Sequence, residues 1–173
     1  MSRTVFFLFW VFFLVRLSSL FISIRNEKRL RREGAEEYGK KNSAVLAVLH
    51  VLFYLGAFAE GYVKNAQLDG TAVAGAALYV AGLVMLFYVI RQLSPIWTVK
   101  LFVAKEHTLN KSKLFKYARH PNYFLSILPE LIGLVLLLKA YVVLAALFPL
   151  YLLSLAVRII QEEKVMRARF KEY

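Results

Sequence analysis

Cysteine is absent from the 173 residues, which excludes a disulfide framework, a thiol nucleophile and any thiolate-held metal or iron–sulfur centre. Histidine occurs only at His50, His107 and His120, enough for at most one zinc site completed by carboxylates, and no metal site is expected. No Gly/Ser/Pro linker, internal repeat or low-complexity tract interrupts the chain, so residues 1–173 read as one domain. A Rossmann-type glycine fingerprint is missing as well, which removes the soluble dinucleotide-binding fold from consideration. Acidic residues are scarce, 11 against 23 Lys and Arg, leaving a formal charge of +12.

What the chain does have is apolar surface. About 60% of its residues are hydrophobic, against roughly 45–50% in soluble domains, which argues against a water-soluble enzyme with one core. Five apolar stretches can be marked: Thr4–Ile24, Ser43–Val63, Ala72–Leu93, Asn122–Leu138 and Ala140–Ile160. Each approaches the ~20 residues a helix needs to cross ~30 Å of hydrocarbon. The fourth is the shortest, and Lys139 alone separates it from the fifth, so these two are expected to form a tight hairpin. The expectation is an all-α integral membrane protein of about five transmembrane helices.

Positive charge sorts sharply among the connections. Arg25 to Lys41 holds seven Lys and Arg, Ser94 to Arg119 six, and the tail Lys164, Arg167, Arg169 and Lys171, whereas the opposite side has only Arg3, Lys64 and Lys139. By the positive-inside rule the N-terminus lies outside and the C-terminus in the cytoplasm of a multi-pass cell-membrane protein. A cleaved signal peptide over the first stretch is rejected, because cleavage would put the basic run from Arg25 on the translocated side, and Arg16, Ser18 and Ser19 make no small-residue cleavage site. Topology explains the +12 in contact with membrane lipids, so no nucleic-acid partner is expected. The connection from Arg25 reads as a solvated interfacial helix. The connection from Ser94 to Arg119 mixes Trp97, Phe102, Leu109, Phe115 and Tyr117 with its cations and reads as an ordered cytoplasmic cap.

Two motifs meet that cap. Arg119-His120-Pro121-Asn122-Tyr123 opens the fourth span, with Pro121 where a first-turn proline is tolerated and the next free N–H groups point to the cytoplasmic face. Arg158, Glu162 and Glu163 close the fifth span at the same level. Arg158 and Glu162 are four apart and share a face, while Glu163 turns about 100° away. Each motif alone suits a plain helix end. Their coincidence in depth is what points to a cavity open to the cytoplasm.

With these residues the C-terminal half resembles the isoprenylcysteine carboxyl methyltransferase family, particularly its short bacterial members. The resemblance runs from about Trp97 to Tyr173, through Glu106-His107-Thr108-Leu109, Lys113 to Tyr123, and Arg158-Ile159-Ile160-Gln161-Glu162-Glu163. It implies a methyltransferase-like region over 94–173 that uses S-adenosylmethionine, bound on the cap, and a lipophilic or lipidated acceptor drawn from the membrane. It further implies that His107, Thr108, Leu109, Asn110, Phe115, His120, Pro121, Asn122, Tyr123 and Glu162 bind the cofactor, with Arg158 toward the substrate; Arg119, placed by depth around the same cavity, is a further catalytic candidate. Two departures stand out: Ser112-Lys113-Leu114-Phe115 replaces the family's usual Ser-Gly-x-Tyr, and Asn110 takes a commonly aliphatic position. They loosen the transfer of a prenylated-cysteine acceptor and leave alkylpyrone or phenolic polyketide lipids as an alternative. Methyl transfer asks a protein for alignment, desolvation and charge placement more than for a reactive side chain, which suits a carboxylate and a planar guanidinium.

Two other classes compete. An NADPH-dependent membrane reductase would want clustered arginines in the cap, which is lysine-rich with Arg119 alone. A non-enzymatic scaffold would account for Arg158 and Glu162 but leave the sequence from Glu106 to Tyr123 arbitrary. Finally, Arg16, His50 and Glu130 each fall seven or eight residues inside a span, about 10–12 Å below the cytoplasmic edge at ~1.5 Å per residue. Intramembrane ionisable groups pair or serve function. An Arg16–Glu130 contact with His50 nearby is therefore expected, with Glu130 a candidate base, while Glu60 lies at the far side and cannot be Arg16's partner. Pro129 and Pro149 are expected to kink the last two spans.

Overall fold

A computed structural model describes residues 1–103 and 120–169. Four helices in it are long and apolar enough to cross a membrane: α1 (Arg3–Arg32), α2 (Lys40–Val63), α3 (Gly70–Leu93) and the last, α5 (Tyr141–Arg169). A shorter apolar helix precedes the last one; it opens as a π-helical segment, Asn122–Ile127, and continues as α4 (Leu128–Leu138). The helices turn much of their apolar surface outward, with Phe7, Phe21, Val63, Leu153 and Ile160 among the most exposed side chains. A chain built this way is at home in hydrocarbon, where the backbone polar groups are satisfied within each helix. The protein is a mostly helical membrane protein.

The helices end at two distinct poles. At one pole the Ser2 amide bonds the Ala66 carbonyl, Lys139 pairs with Asp69, and Glu60 accepts from Lys64 and from the Val142 and Val143 amides, tying the chain start to both turns. Glu60 thereby caps the start of α5, far from Arg16. Lys139 takes a left-handed conformation (φ 57°) that ends α4 and sends the chain straight back. The opposite pole gathers the basic connections: the end of α1, the start of α2, the end of α3, His120 and the end of α5.

One expectation is corrected at that basic pole. The connection after the first span is not a separate interfacial helix, because α1 continues to Arg32 and stops at a Gly34 turn with φ 76°. The mostly helical chain, consistent with the all-α expectation, also carries one short strand pair here. Strand β1 (Glu36–Tyr38) pairs antiparallel with β2 (Leu101–Val103), Glu37 lying opposite Phe102, and Arg31 sits over the Phe102 ring. These short strands fold residues 101–103 onto the helix ends. The rest of the expected cap, residues 104–119, lies outside the described residues.

The last two helices also share a turn rather than a face. α4 packs chiefly on α3 and α5 on α2, and glycines decide the first pairing. A Cβ on Gly133 would stand 2.5 Å from the Tyr79 amide nitrogen, and one on Gly82 would stand 2.9 Å from both the Glu130 nitrogen and the Ser126 carbonyl oxygen. Backbones in this contact are closer than any side chain allows, the usual means of helix association in lipid. Pro129, without an N–H to give, follows the π-helical segment, where the Leu128 amide reaches back five residues to the Tyr123 carbonyl.

Candidate functional site

At the basic pole, the start of the π-helical segment and the last turns of α5 bring four of the expected residues together. Pro121 begins the helix in right-handed geometry (φ −64°), and Tyr123 follows it into the bundle. The Tyr123 hydroxyl donates to Glu162 Oε2 at 2.7 Å and receives Arg158 Nε at 3.3 Å, so a single phenol joins the carboxylate to the guanidinium. His120 stacks on the Tyr123 ring, places Nε2 3.1 Å from Glu163 Oε1 and Nδ1 3.6 Å from Glu162 Oε1. Both glutamates therefore face one imidazole, although on the helix they point about 100° apart; Glu163 also holds Arg167. Burial opposes a charge on His120, but the two carboxylates outweigh it and raise its pKa above the ordinary histidine value.

Arg158 is buried and committed to the fold. Nη1 donates to Ser43 Oγ at 2.7 Å and Nη2 to the Val99 carbonyl at 3.0 Å, so with the Tyr123 bond three of the five guanidinium hydrogens are placed. The remaining two have no partner among the described residues. Val99 is itself anchored, its amide donating to Ser23 Oγ, while Asn26 holds the Trp97 carbonyl and Lys100 pairs with Glu27. The segment after α3 thus lies across the helix ends and presents a carbonyl to Arg158. Asn122 Oδ1 is buried with no hydrogen-bond partner among the described residues. Of the other sequence-predicted residues, His107, Thr108, Leu109, Asn110, Phe115 and Arg119 lie outside the described residues.

Glu130 occupies a different level. It is fully buried, two helical turns from Tyr123, and no hydrogen bond or ion pair among the described residues joins it to the cluster around Arg158. Arg16 Nε meets Glu130 Oε1 at 2.9 Å and His50 Nε2 stands 3.6 Å from the same oxygen, as the depth argument expects. Sequence reasoning missed the hydroxyls around this pair: Tyr54 donates to Glu130 and contacts the Tyr79 hydroxyl, Tyr151 lies 3.2 Å from His50 Nδ1, and Ser19 receives Arg16 Nη1. It also missed Ser43. A usable signal existed, since Tyr54 is one turn from His50 on the same face and Tyr151 is two turns from Arg158.

The chain is thus a helical membrane protein that gathers a carboxylate, a histidine and a buried arginine at one pole. Residues 75–168 match the isoprenylcysteine carboxyl methyltransferase family, and the chain belongs to it. Membership implies a methyltransferase that works in a membrane. The chain is 52% identical to an uncharacterized protein of Haemophilus influenzae, covering 90% of this chain and 91% of that protein. It is 27% identical to the uncharacterized protein YpbQ of Bacillus subtilis, covering 92% and 97%. No solved structure matches it significantly.

Proposed function

We propose that the protein transfers the methyl group of S-adenosylmethionine to a carboxylate or hydroxyl oxygen of a lipophilic acceptor dissolved in the membrane, with the basic pole in the cytoplasm. One observation supports this above the others: Tyr123 joins Glu162, an acceptor for cofactor hydrogens, to Arg158, a donor for a substrate oxygen. The residues present fit the cofactor. Glu162 and the unpartnered Asn122 Oδ1 are acceptors suited to hydroxyl and amino hydrogens, and the pair Glu162 and Glu163 favours a positive group nearby. Glu162, His120, Pro121, Asn122 and Tyr123 would hold it, together with His107, Thr108, Leu109, Asn110 and Phe115.

When bound, the cofactor supplies a methyl group already activated by its sulfonium, so the chain needs no nucleophile of its own. Arg158 offers its two remaining N–H groups to the acceptor oxygen and keeps it oriented, and Arg119 supplies further positive charge. Ser43, Val99 and Tyr123 fix the plane of the guanidinium. The acceptor enters laterally between helices, and the water-soluble cofactor from the basic pole. Calorimetric titration of the purified full chain in detergent with S-adenosylhomocysteine tests the reading. Saturable binding, weakened roughly tenfold by Glu162→Gln through loss of a charge-assisted hydrogen bond, is expected; absence of saturable binding to the wild type overturns it.

A further inference from the structure

The layer around Glu130 is richer than a structural ion pair requires. Glu130 Oε1 already takes Arg16 and Tyr54, whereas Oε2 is buried with no hydrogen-bond partner among the described residues. Ser126, one turn earlier on the same helix, is fully buried and its Oγ also has none. Serines inside helices ordinarily return their hydroxyl to a carbonyl one turn back; Ser126 does not. The carbonyl oxygen of Ser126 and the amide nitrogen of Glu130 both flank Gly82, so the backbone carrying the two residues packs directly on α3. An unpartnered carboxylate oxygen and an unpartnered hydroxyl one helical turn apart, in a place where water is scarce, are the complement of one ligand hydroxyl. It would donate to Glu130 Oε2 and accept from Ser126 Oγ.

The layer also has an edge. The Arg16 and His50 side chains are 13% and 19% exposed at the bundle surface, giving a polar rim reachable from the bilayer. Its depth is set by two helices at once. Tyr123 and Glu130 are seven residues apart, as are Arg158 and Tyr151, which places this layer two turns, about 10 Å, deeper than the Arg158 cluster. That distance is too long for Glu130 to remove a proton from an oxygen held at Arg158.

We propose that Ser126 and Glu130 form a second recognition subsite, one that takes a hydroxyl carried on the acceptor's chain about 10 Å from its methylated oxygen. The preferred acceptors are then long-chain lipids with two oxygen functions, one at the head and one partway down the chain. The assignment of the head to the Arg158 cluster rests on the proposed methyl transfer. The hydroxyl subsite rests on the buried atoms alone.

The test uses the purified full chain in detergent and two probes of equal length, octadecanoic acid and 10-hydroxyoctadecanoic acid, with affinities measured by calorimetry. The wild type should bind the hydroxylated acid roughly tenfold tighter, the gain expected for hydrogen bonds that satisfy a buried charged group. Ser126→Ala, which surrenders no hydrogen bond of the fold, should keep the thermal midpoint and abolish the preference. Glu130→Gln should reduce it. A wild type that does not distinguish the probes, or a preference that survives Ser126→Ala, overturns the subsite. S-adenosylhomocysteine binding is read separately on the same protein. Probe discrimination without cofactor binding would keep the subsite and remove the methyltransferase, and cofactor binding without discrimination would do the reverse.

Discussion

The two polar clusters of this bundle stand on the same pair of helical segments, two turns apart, and are built on opposite terms. Around Tyr123, the charged groups lie at the pole. Glu162 and Glu163 keep 26% and 19% exposure, and their bonds run between residues of two helix ends. Around Glu130, the carboxylate is fully buried and drawn upon from α1 and α2, with a tyrosine pair extending the network to α3. A charge near an aqueous pole can be left partly unpaired at small cost. A charge in the middle of the bundle is costly to leave without its counter-ion, so the deeper cluster carries structure as well as recognition.

Breaking the deeper pair should give the largest effect. Arg16→Met leaves the Glu130 carboxylate without its cation and is expected to cost about 3–5 kcal/mol of stability. The loss is measured by thermal unfolding in detergent, and the Arg16→Met/Glu130→Leu double variant should regain much of it because both charges go together. A double variant no more stable than the single would show that the pair is not the source of the penalty. Gly133→Ala comes next, at about 1–3 kcal/mol, since its methyl would press on the Tyr79 backbone at a contact that does not yield. A neutral result would mean α3 and α4 can separate without loss.

At the pole, stability effects should be smaller and activity effects more visible. Arg158→Lys keeps the charge but cannot reproduce a planar fork holding Ser43, Val99 and Tyr123. Turnover should fall roughly tenfold or more while S-adenosylhomocysteine affinity changes little. Equal loss of both would reassign Arg158 to cofactor binding. The smallest effect concerns His120. Its folded-state pKa is raised by Glu162 and Glu163 against burial, so its contribution to stability is complete below the unfolded value of about 6.5 and fades as pH rises through the folded value. The thermal midpoint of the wild type should therefore fall from about pH 6.5 upward relative to His120→Gln. A constant difference across that range would show that His120 does not stay charged beside the two glutamates.

Much of this was legible from residue order. Hydropathy located the helices because crossing a bilayer imposes a length, and charge sorting grouped the connections because basic residues collect on one side of a membrane. The Arg16–Glu130 contact followed from depth alone: an ionisable group at a given level of hydrocarbon has few partners at that level. The pairing of His120 and Tyr123 with Glu162 and Arg158 followed from two motifs at one pole. The sequence did not disclose that α1 runs on to Arg32, that residues 36–38 and 101–103 form strands, or that Arg158 spends three of its hydrogens inside the fold.

Those features depend on contacts between distant segments. Length and polarity are sums over neighbouring residues, so the chain's order determined the spans, their poles and the levels of the buried charges. Which helix lies against which was decided only in three dimensions. Gly75, Gly82 and Gly133 let α3 and α4 meet backbone to backbone, while Tyr54 and Ser43 from α2 and the Val99 carbonyl from the segment after α3 complete the charged groups from other elements. A hydrogen bond requires its two atoms within about 3 Å, and no pattern along one helix states what the next helix will bring to that point.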